Sequence, residues 1–201
     1  MKSVKITHAY GILSAIFIIL TLLLLATRGQ HFSSLHNLPS ASIAVFFLAG
    51  MYLRSIKAFW FYYLLTVAID LGASYMRGQF GDCITTSYPA LVLSYGVMFS
   101  IGRYVKPMWY ETSHLKNFAK VALGLFVASS IAFFISNGSY YVFSGNFSNL
   151  SWAEYTSRVD KYYLRSISNP IFYVFVAFVL DFTMNHFFTN KLIAKLRNGK
   201  V

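Results

Sequence analysis

Residues 70–103 read DLGASYMRGQFGDCITTSYPALVLSYGVMFSIGR, and this stretch decides the fold because one apolar segment ends in it and the next one begins. The polar residues between the two segments include Cys83, the single cysteine of the chain. Two apolar segments joined by a short polar junction are typical of neighbouring membrane spans. The stretch therefore predicts a helical membrane protein with its only thiol at a membrane boundary.

The composition of the whole chain supports the same class of protein. Hydrophobic residues make up 57% of the 201 residues and charged residues only 11%, which is far from the usual soluble balance. We expect one membrane domain, 1–201, in contact with the lipid bilayer. The net charge of +11 does not indicate nucleic-acid binding, because the basic residues are spread over short connections and form no dense block.

Extended in both directions, the apolar pattern predicts an all-α polytopic membrane protein with six transmembrane helices. We expect the spans at about 9–26, 39–54, 58–76, 85–105, 118–135 and 170–189. The longest connection, 136–169, is rich in Ser, Asn, Gly and Tyr, so it is predicted as an outward-facing loop. Ser151 and Glu154 have capping-box spacing, which predicts a surface helix near 151–163 inside this loop.

The distribution of basic residues predicts the orientation of the six spans. Of the 17 Lys and Arg residues, five fall on one side, and the rest fall on the side that also holds both termini. The side richer in Lys and Arg is the cytoplasmic one. Both termini are therefore predicted to be cytoplasmic, and the outward side carries Arg28, Arg77, Arg158, Lys161 and Arg165.

Three residues with ionisable or reactive side chains are predicted to lie on the outward side. Asp70 lies about 18 Å along the third span at 1.5 Å per residue, and an ionisable group at that depth indicates a cavity or a charged partner. Cys83 follows in the polar junction, where ligation of a metal or cofactor and inert packing are both open. Tyr88 begins the fourth span near the same mouth, although Tyr is also ordinary at a membrane interface.

The other polar residues give weaker indications of a functional site. His31 lies in the first outward loop, and its i, i+5 spacing to His36 is no metal signature. In the inner half, Asp181, Asn185 and His186 share a stripe of the sixth span, for which we expect a structural role or a contact with a partner protein.

A set of residues carries a resemblance to a known family: residues 38–54 (LPSASIAVFFLAGMYLR), Asp70, the pair Asp82-Cys83, Tyr88-Pro89, Tyr95-Gly96 and Gly102-Arg103. They resemble the BtuM-type cobalamin transporters, small six-span proteins of the bacterial inner membrane. That family is similar in fold to the substrate-binding S-components of energy-coupling-factor vitamin transporters but lacks a dedicated coupling module. The resemblance covers about His31 to Arg103, and the rest of the chain is similar only in architecture.

The resemblance implies uptake of cobalamin (vitamin B12), bound at a mouth that faces the periplasm. It implies that Cys83 is the axial ligand of the cobalt and displaces cyanide from cyanocobalamin, so that a decyanation step accompanies uptake. It also implies that Asp70, Tyr88 and His31 line the pocket. An arginine of the last outward loop is expected there too; Arg158 is our choice, and Arg165 is the alternative.

Two other functions stay open at this point. The chain could bind a different vitamin and deliver it to a shared energy-coupling ATPase module; it contains no GxxxxGK[ST] motif, so any ATP dependence comes from a partner. It could also be a membrane thiol enzyme in which His31 or His36 activates Cys83. Copurification with an ATPase module would indicate the first, and release of an acyl group without corrinoid binding would indicate the second.

Overall fold

The computed structural model describes residues 2–28, 39–77, 86–105 and 114–197, with the side chains of residues 11–28, 39–76, 86–105 and 116–184. The described residues form helices and no strand, which confirms the all-α prediction. The helices are α1 Lys2–Arg28, α2 Ser42–Leu48, α3 Ile56–Arg77, α4 Ala90–Tyr104, α5 His114–Phe143 and α6 Trp152–Arg197, and a π-helical turn, Ala49–Leu53, continues α2.

Four of these helices are long and apolar enough to cross a membrane. The qualifying segments are Gly11–Arg28, Ile56–Met76, Lys116–Phe143 and Trp152–Met184. The shortest has 18 residues, which corresponds to about 27 Å of helix and nearly matches the hydrocarbon thickness of a bilayer. The predicted spans 39–54 and 85–105 fall on shorter helices, the apolar segment Ser42–Leu53 and α4.

The helix α2 forms the centre of the bundle. Residues 44–51 are all buried, and Phe46 and Phe47 are completely inaccessible to solvent. A helix that is apolar on every side is covered either by protein or by lipid, and the burial of residues 44–51 shows that protein surrounds this one. The ring of Phe46 stacks on Tyr95 of α4, with centroids 4.2 Å apart, and meets Phe59 of α3 edge to face. These contacts place α2 between α3 and α4.

Two glycines allow α2 and α4 to approach at backbone distance. A Cβ atom at Gly50 would overlap the carbonyl oxygen of Phe99, and one at Gly102 would overlap the carbonyl oxygen of Phe47. Each glycine therefore faces the backbone of the other helix. Any larger side chain at either position forces the two backbones apart.

The π turn ends at a residue in the left-handed conformation. The Arg54 N–H donates to the Ala49 carbonyl at 3.0 Å, an i to i+5 bond that defines the wider turn. Arg54 has φ 56°, an uncommon value for a residue with a side chain. Only Arg54 and Ser55 separate the π turn from α3, which is close to the three residues left between the predicted spans 39–54 and 58–76.

The prediction of a long outward loop at 136–169 is wrong. α5 continues to Phe143 and α6 begins at Trp152, so most of this segment is helical and only residues 144–151 connect the two helices. The low helix propensity of its Ser, Asn and Gly residues is outweighed by tertiary packing. Tyr141 of α5 packs against Tyr155 of α6 with ring centroids 5.4 Å apart, and its hydroxyl bonds the main chain of Ser151.

The separate surface helix predicted near 151–163 is instead the first part of α6. One half of the predicted capping box is confirmed, because the Glu154 N–H donates to Ser151 Oγ at 3.2 Å. The Glu154 carboxylate instead accepts from the Tyr141 hydroxyl. The helix continues through Pro170, which is fully buried. Proline removes one backbone hydrogen bond inside a helix, and the packing of this part of α6 compensates: the hydroxyl of Tyr173 donates to the carbonyl of Pro39 just before α2.

Candidate functional site

Asp70, a carboxylate inside the candidate span Ile56–Met76, forms an ion pair with Arg28, the last residue of α1. Arg28 Nε lies 2.8 Å from Asp70 Oδ1, and Arg28 Nη2 lies 2.6 Å from Asp70 Oδ2. The two side chains are only 14% and 16% exposed. This two-point geometry is the strongest form of an arginine–carboxylate contact and fixes the orientation of both groups.

Three further side chains complete a polar network around this pair. Tyr88 donates its hydroxyl to Asp70 Oδ2 at 2.7 Å. Arg28 Nη1 donates to Ser42 Oγ at 2.7 Å and to the Tyr95 hydroxyl at 2.8 Å. The network therefore joins α1, α2, α3, the turn before α4 and α4 itself. We call these five residues the Arg28–Asp70 network.

Charge compensation explains why the network can be buried. The positive charge of Arg28 neutralises Asp70, and each hydrogen bond uses a donor or acceptor that would otherwise be desolvated without a partner. The guanidinium also lies 5.9 Å from the ring centre of Tyr95, which is held by its stack on Phe46. The network is therefore in contact with the apolar core of the bundle through the ring of Tyr95.

Two hydroxyl groups extend this polar stripe along α3. Thr66 and Ser74 lie one helical turn on either side of Asp70, and both residues are fully buried. Neither hydroxyl has a hydrogen-bond partner among the described residues. A buried hydroxyl without a partner costs free energy, so the face of α3 that carries Asp70 is more polar than packing alone requires.

The structure brings together two of the predicted site residues and adds three that sequence reasoning missed. Asp70 and Tyr88 are in direct contact, which agrees with the prediction that both lie near the same end of neighbouring spans. Arg28, Ser42 and Tyr95 were not predicted as site residues. The signal for Arg28 was available, because a carboxylate within a span requires a cation and Arg28 ends the neighbouring apolar segment. Cys83 and His31 lie outside the described residues.

Arg158 and Arg165 line a cavity that lies between α5 and α6. Its volume is about 360 Å³, and its polar lining includes Asn137 and Asn169. The Arg158 guanidinium packs on three rings, at 4.6 Å from Phe147, 5.4 Å from Tyr162 and 5.5 Å from Tyr140. No described contact joins Arg158 to the Arg28–Asp70 network.

Asp181 of α6 makes a contact with the π turn. The Tyr52 hydroxyl donates to Asp181 Oδ2 at 3.1 Å, and Asp181 is 8% exposed. This contact agrees with the structural role expected for Asp181. The side chains of Asn185 and His186 lie outside the described residues.

Comparison with known proteins adds no relative to this picture. Neither a scan against protein-family models nor a search of curated proteins finds a match to the chain. Among the described side chains, no group of three or more His, Cys, Asp or Glu residues is placed to hold a metal ion. The fold and the two polar sites therefore define a helical multi-pass membrane protein with a buried charge network at one end of its bundle.

Proposed function

We propose that this chain binds cobalamin and carries it across the inner membrane of a bacterium, as a six-span bundle with cytoplasmic termini and a binding site facing the periplasm. The proposal rests on the family resemblance of residues 31–103 and on the Arg28–Asp70 network. A buried charge network at the end of a membrane bundle is a preferred location for a polar ligand. The resemblance supplies the identity of that ligand.

The observation that carries the proposal is that the residues flanking, in the sequence, the segments of Cys83 and His31 meet in one network. Asp70 and Tyr88 lie on the two sides of the segment that holds Cys83, and they are in contact with each other. Arg28 and Ser42 likewise flank the segment that holds His31, and they too are in contact. Five peptide units separate Cys83 from Tyr88, and at no more than about 3.6 Å per residue they span at most about 18 Å.

Asp70 has hydrogen-bonding capacity left for a ligand. An ionised carboxylate offers about four acceptor positions. Arg28 and Tyr88 occupy three of them. The remaining position could accept an N–H from one of the amide side chains at the edge of a corrinoid. In this proposal the network orients the ligand and also holds Tyr88 at the start of α4.

The proposed chemistry at Cys83 is a ligand exchange on the cobalt of the substrate. A thiolate is a soft donor suited to such a metal. The thiol loses its proton to solvent, the thiolate sulfur donates an electron pair to cobalt, and cyanide leaves with the electron pair of the broken bond. Cobalt keeps its oxidation state, so the step requires no reductant. Arg158, with Arg165 as the alternative, is proposed to contact the same substrate from the far wall.

The visible absorption spectrum of purified protein with cyanocobalamin tests this function. We expect a spectrum altered by thiolate ligation, with cobalt in about equimolar amount and cyanide released. Cys83→Ser should bind without the altered spectrum and without cyanide release. The matched control is Ser144→Ala, a hydroxyl lost at the α5–α6 connection. If Cys83→Ser gives the same spectrum and still removes cyanide, the proposed role of Cys83 is wrong.

A further inference from the structure

The cavity between α5 and α6 has the composition of an anion site. Two guanidinium groups, from Arg158 and Arg165, line it, together with Asn137 and Asn169, and no acidic residue does so among the described residues. The one ion pair within the described side chains joins Arg28 and Asp70. The positive charge of this cavity is therefore not compensated by a described carboxylate.

Arg158 is held in a way that leaves its hydrogen-bonding edge unused. The rings of Tyr140, Phe147 and Tyr162 contact the guanidinium by cation–π packing. The N–H groups of a guanidinium point outward in its plane, and cation–π packing uses none of them as a hydrogen-bond donor. Arg158 Nε is buried and has no hydrogen-bond partner among the described residues. A pre-oriented guanidinium edge of this kind matches an oxyanion.

A second buried atom specifies the ligand further. Asn137 Oδ1, in the same cavity, is a hydrogen-bond acceptor that is buried and has no partner among the described residues. An oxyanion alone would satisfy Arg158 but not this acceptor, which needs an N–H or O–H donor. The complementary ligand therefore carries an anionic oxygen next to an O–H or N–H donor.

We propose that the α5–α6 cavity binds a phosphate group that is accompanied by a hydroxyl. Hydrogen phosphate has both features in one ion, and the headgroup of phosphatidylglycerol has a phosphodiester with glycerol hydroxyls beside it. The lining comes from residues 133–140 of α5 and 158–169 of α6, in the halves of the two helices that are nearer their connection at 144–151. Both a soluble phosphate and a lipid headgroup are sources of this chemistry. The inference does not depend on corrinoid binding, because phosphate alone is the probe.

Calorimetric titration of the purified full-length protein with sodium phosphate, against sodium chloride at equal ionic strength, tests the soluble source. We expect saturable binding of phosphate only. Arg158→Gln should weaken it by about tenfold or more, the loss of one charge-assisted hydrogen bond. Lys161→Gln is the matched control, since Lys161 is exposed on the same helix, outside the cavity, and should leave the affinity unchanged.

A second variant and a second arm keep the test decisive. Asn137→Asp places a negative charge beside the guanidinium and should abolish binding even if Arg158→Gln does not fold. In the lipid arm, the thermal stability of the protein is compared in nanodiscs of phosphatidylglycerol and of phosphatidylcholine, which lacks the hydroxyl donors. Stabilisation by phosphatidylglycerol that is lost in Asn137→Asp identifies a lipid headgroup as the ligand. If neither phosphate nor phosphatidylglycerol binds in a manner sensitive to these variants, the proposal is overturned.

Discussion

Removing one member of the Arg28–Asp70 ion pair should destabilise the protein far more than an exposed charge change does. In Asp70→Asn the Arg28 guanidinium keeps its charge in surroundings where its side chain is only 14% exposed. In Arg28→Met the Asp70 carboxylate keeps Tyr88 as a donor but loses both guanidinium contacts. Breaking a buried pair on one side costs about 3–5 kcal/mol, and we expect each single variant to lose about that much of the free energy of unfolding.

The double variant Arg28→Met/Asp70→Asn separates charge pairing from simple loss of packing. It leaves no uncompensated charge, so its loss should be smaller than the sum of the two single losses by about 1–3 kcal/mol. Equilibrium unfolding in mixed micelles, followed by helical circular dichroism, measures all three variants on one scale. No ligand is present, so the result concerns the network and not its proposed function.

Asp160→Asn and Lys161→Met form the control cycle. Both residues are exposed on α6, and each change should lie within about 0.5 kcal/mol of the unmodified protein. The reasoning would be refuted by single losses at Arg28 and Asp70 below about 1 kcal/mol, the range of exposed pairs. Strict additivity in the double variant would refute it as well.

Two further predictions concern the architecture. Gly50→Ala should lower the free energy of unfolding by about 1–3 kcal/mol in the same assay, because the added methyl group overlaps the carbonyl of Phe99. Gly11→Ala is the control, because open space surrounds Gly11, and it should be neutral or slightly stabilising. Equal effects of the two changes would contradict the close approach of the α2 and α4 backbones. Ser151→Ala should cost about 1 kcal/mol and speed hydrogen exchange in the first turn of α6, whereas Ser168→Ala in the interior of α6 should not change exchange there.

The long spans and the central site pair could be predicted from the sequence because each depends on local pattern. A run of apolar residues near 20 in length indicates a span wherever it occurs. Asp70 and Tyr88 could be associated because they lie in the two spans on either side of one short polar junction. A cation at the end of the neighbouring apolar segment could have been expected as the partner of Asp70, but only the packing of α1 against α3 shows that Arg28 is that cation.

The loop prediction at 136–169 is wrong because it follows local propensity, which the tertiary contacts of this segment override. Ser136, Asn137 and Gly138 favour a loop by local propensity, and only contacts between distant residues overcome it. Ser130 and Phe133 of α5 meet Tyr163 of α6, by a 2.9 Å hydroxyl contact and an edge-to-face ring pair. Information of this kind lies in the pairing of two helices and is not carried by either segment alone.

The burial of α2 has a consequence for how the chain is made. During synthesis, Gly50 leaves the ribosome well before α4, whose backbone it contacts, and before Tyr173 and Asp181 of α6, which bond to Pro39 and Tyr52. At roughly 5–20 residues per second, the interval between Leu53 and Ala90 is about 2–7 s. For that time the twelve-residue helix Ser42–Leu53, too short to cross a bilayer by itself, is without most of its final neighbours. Its apolar surface is the part of the nascent protein most in need of temporary cover from the insertion machinery.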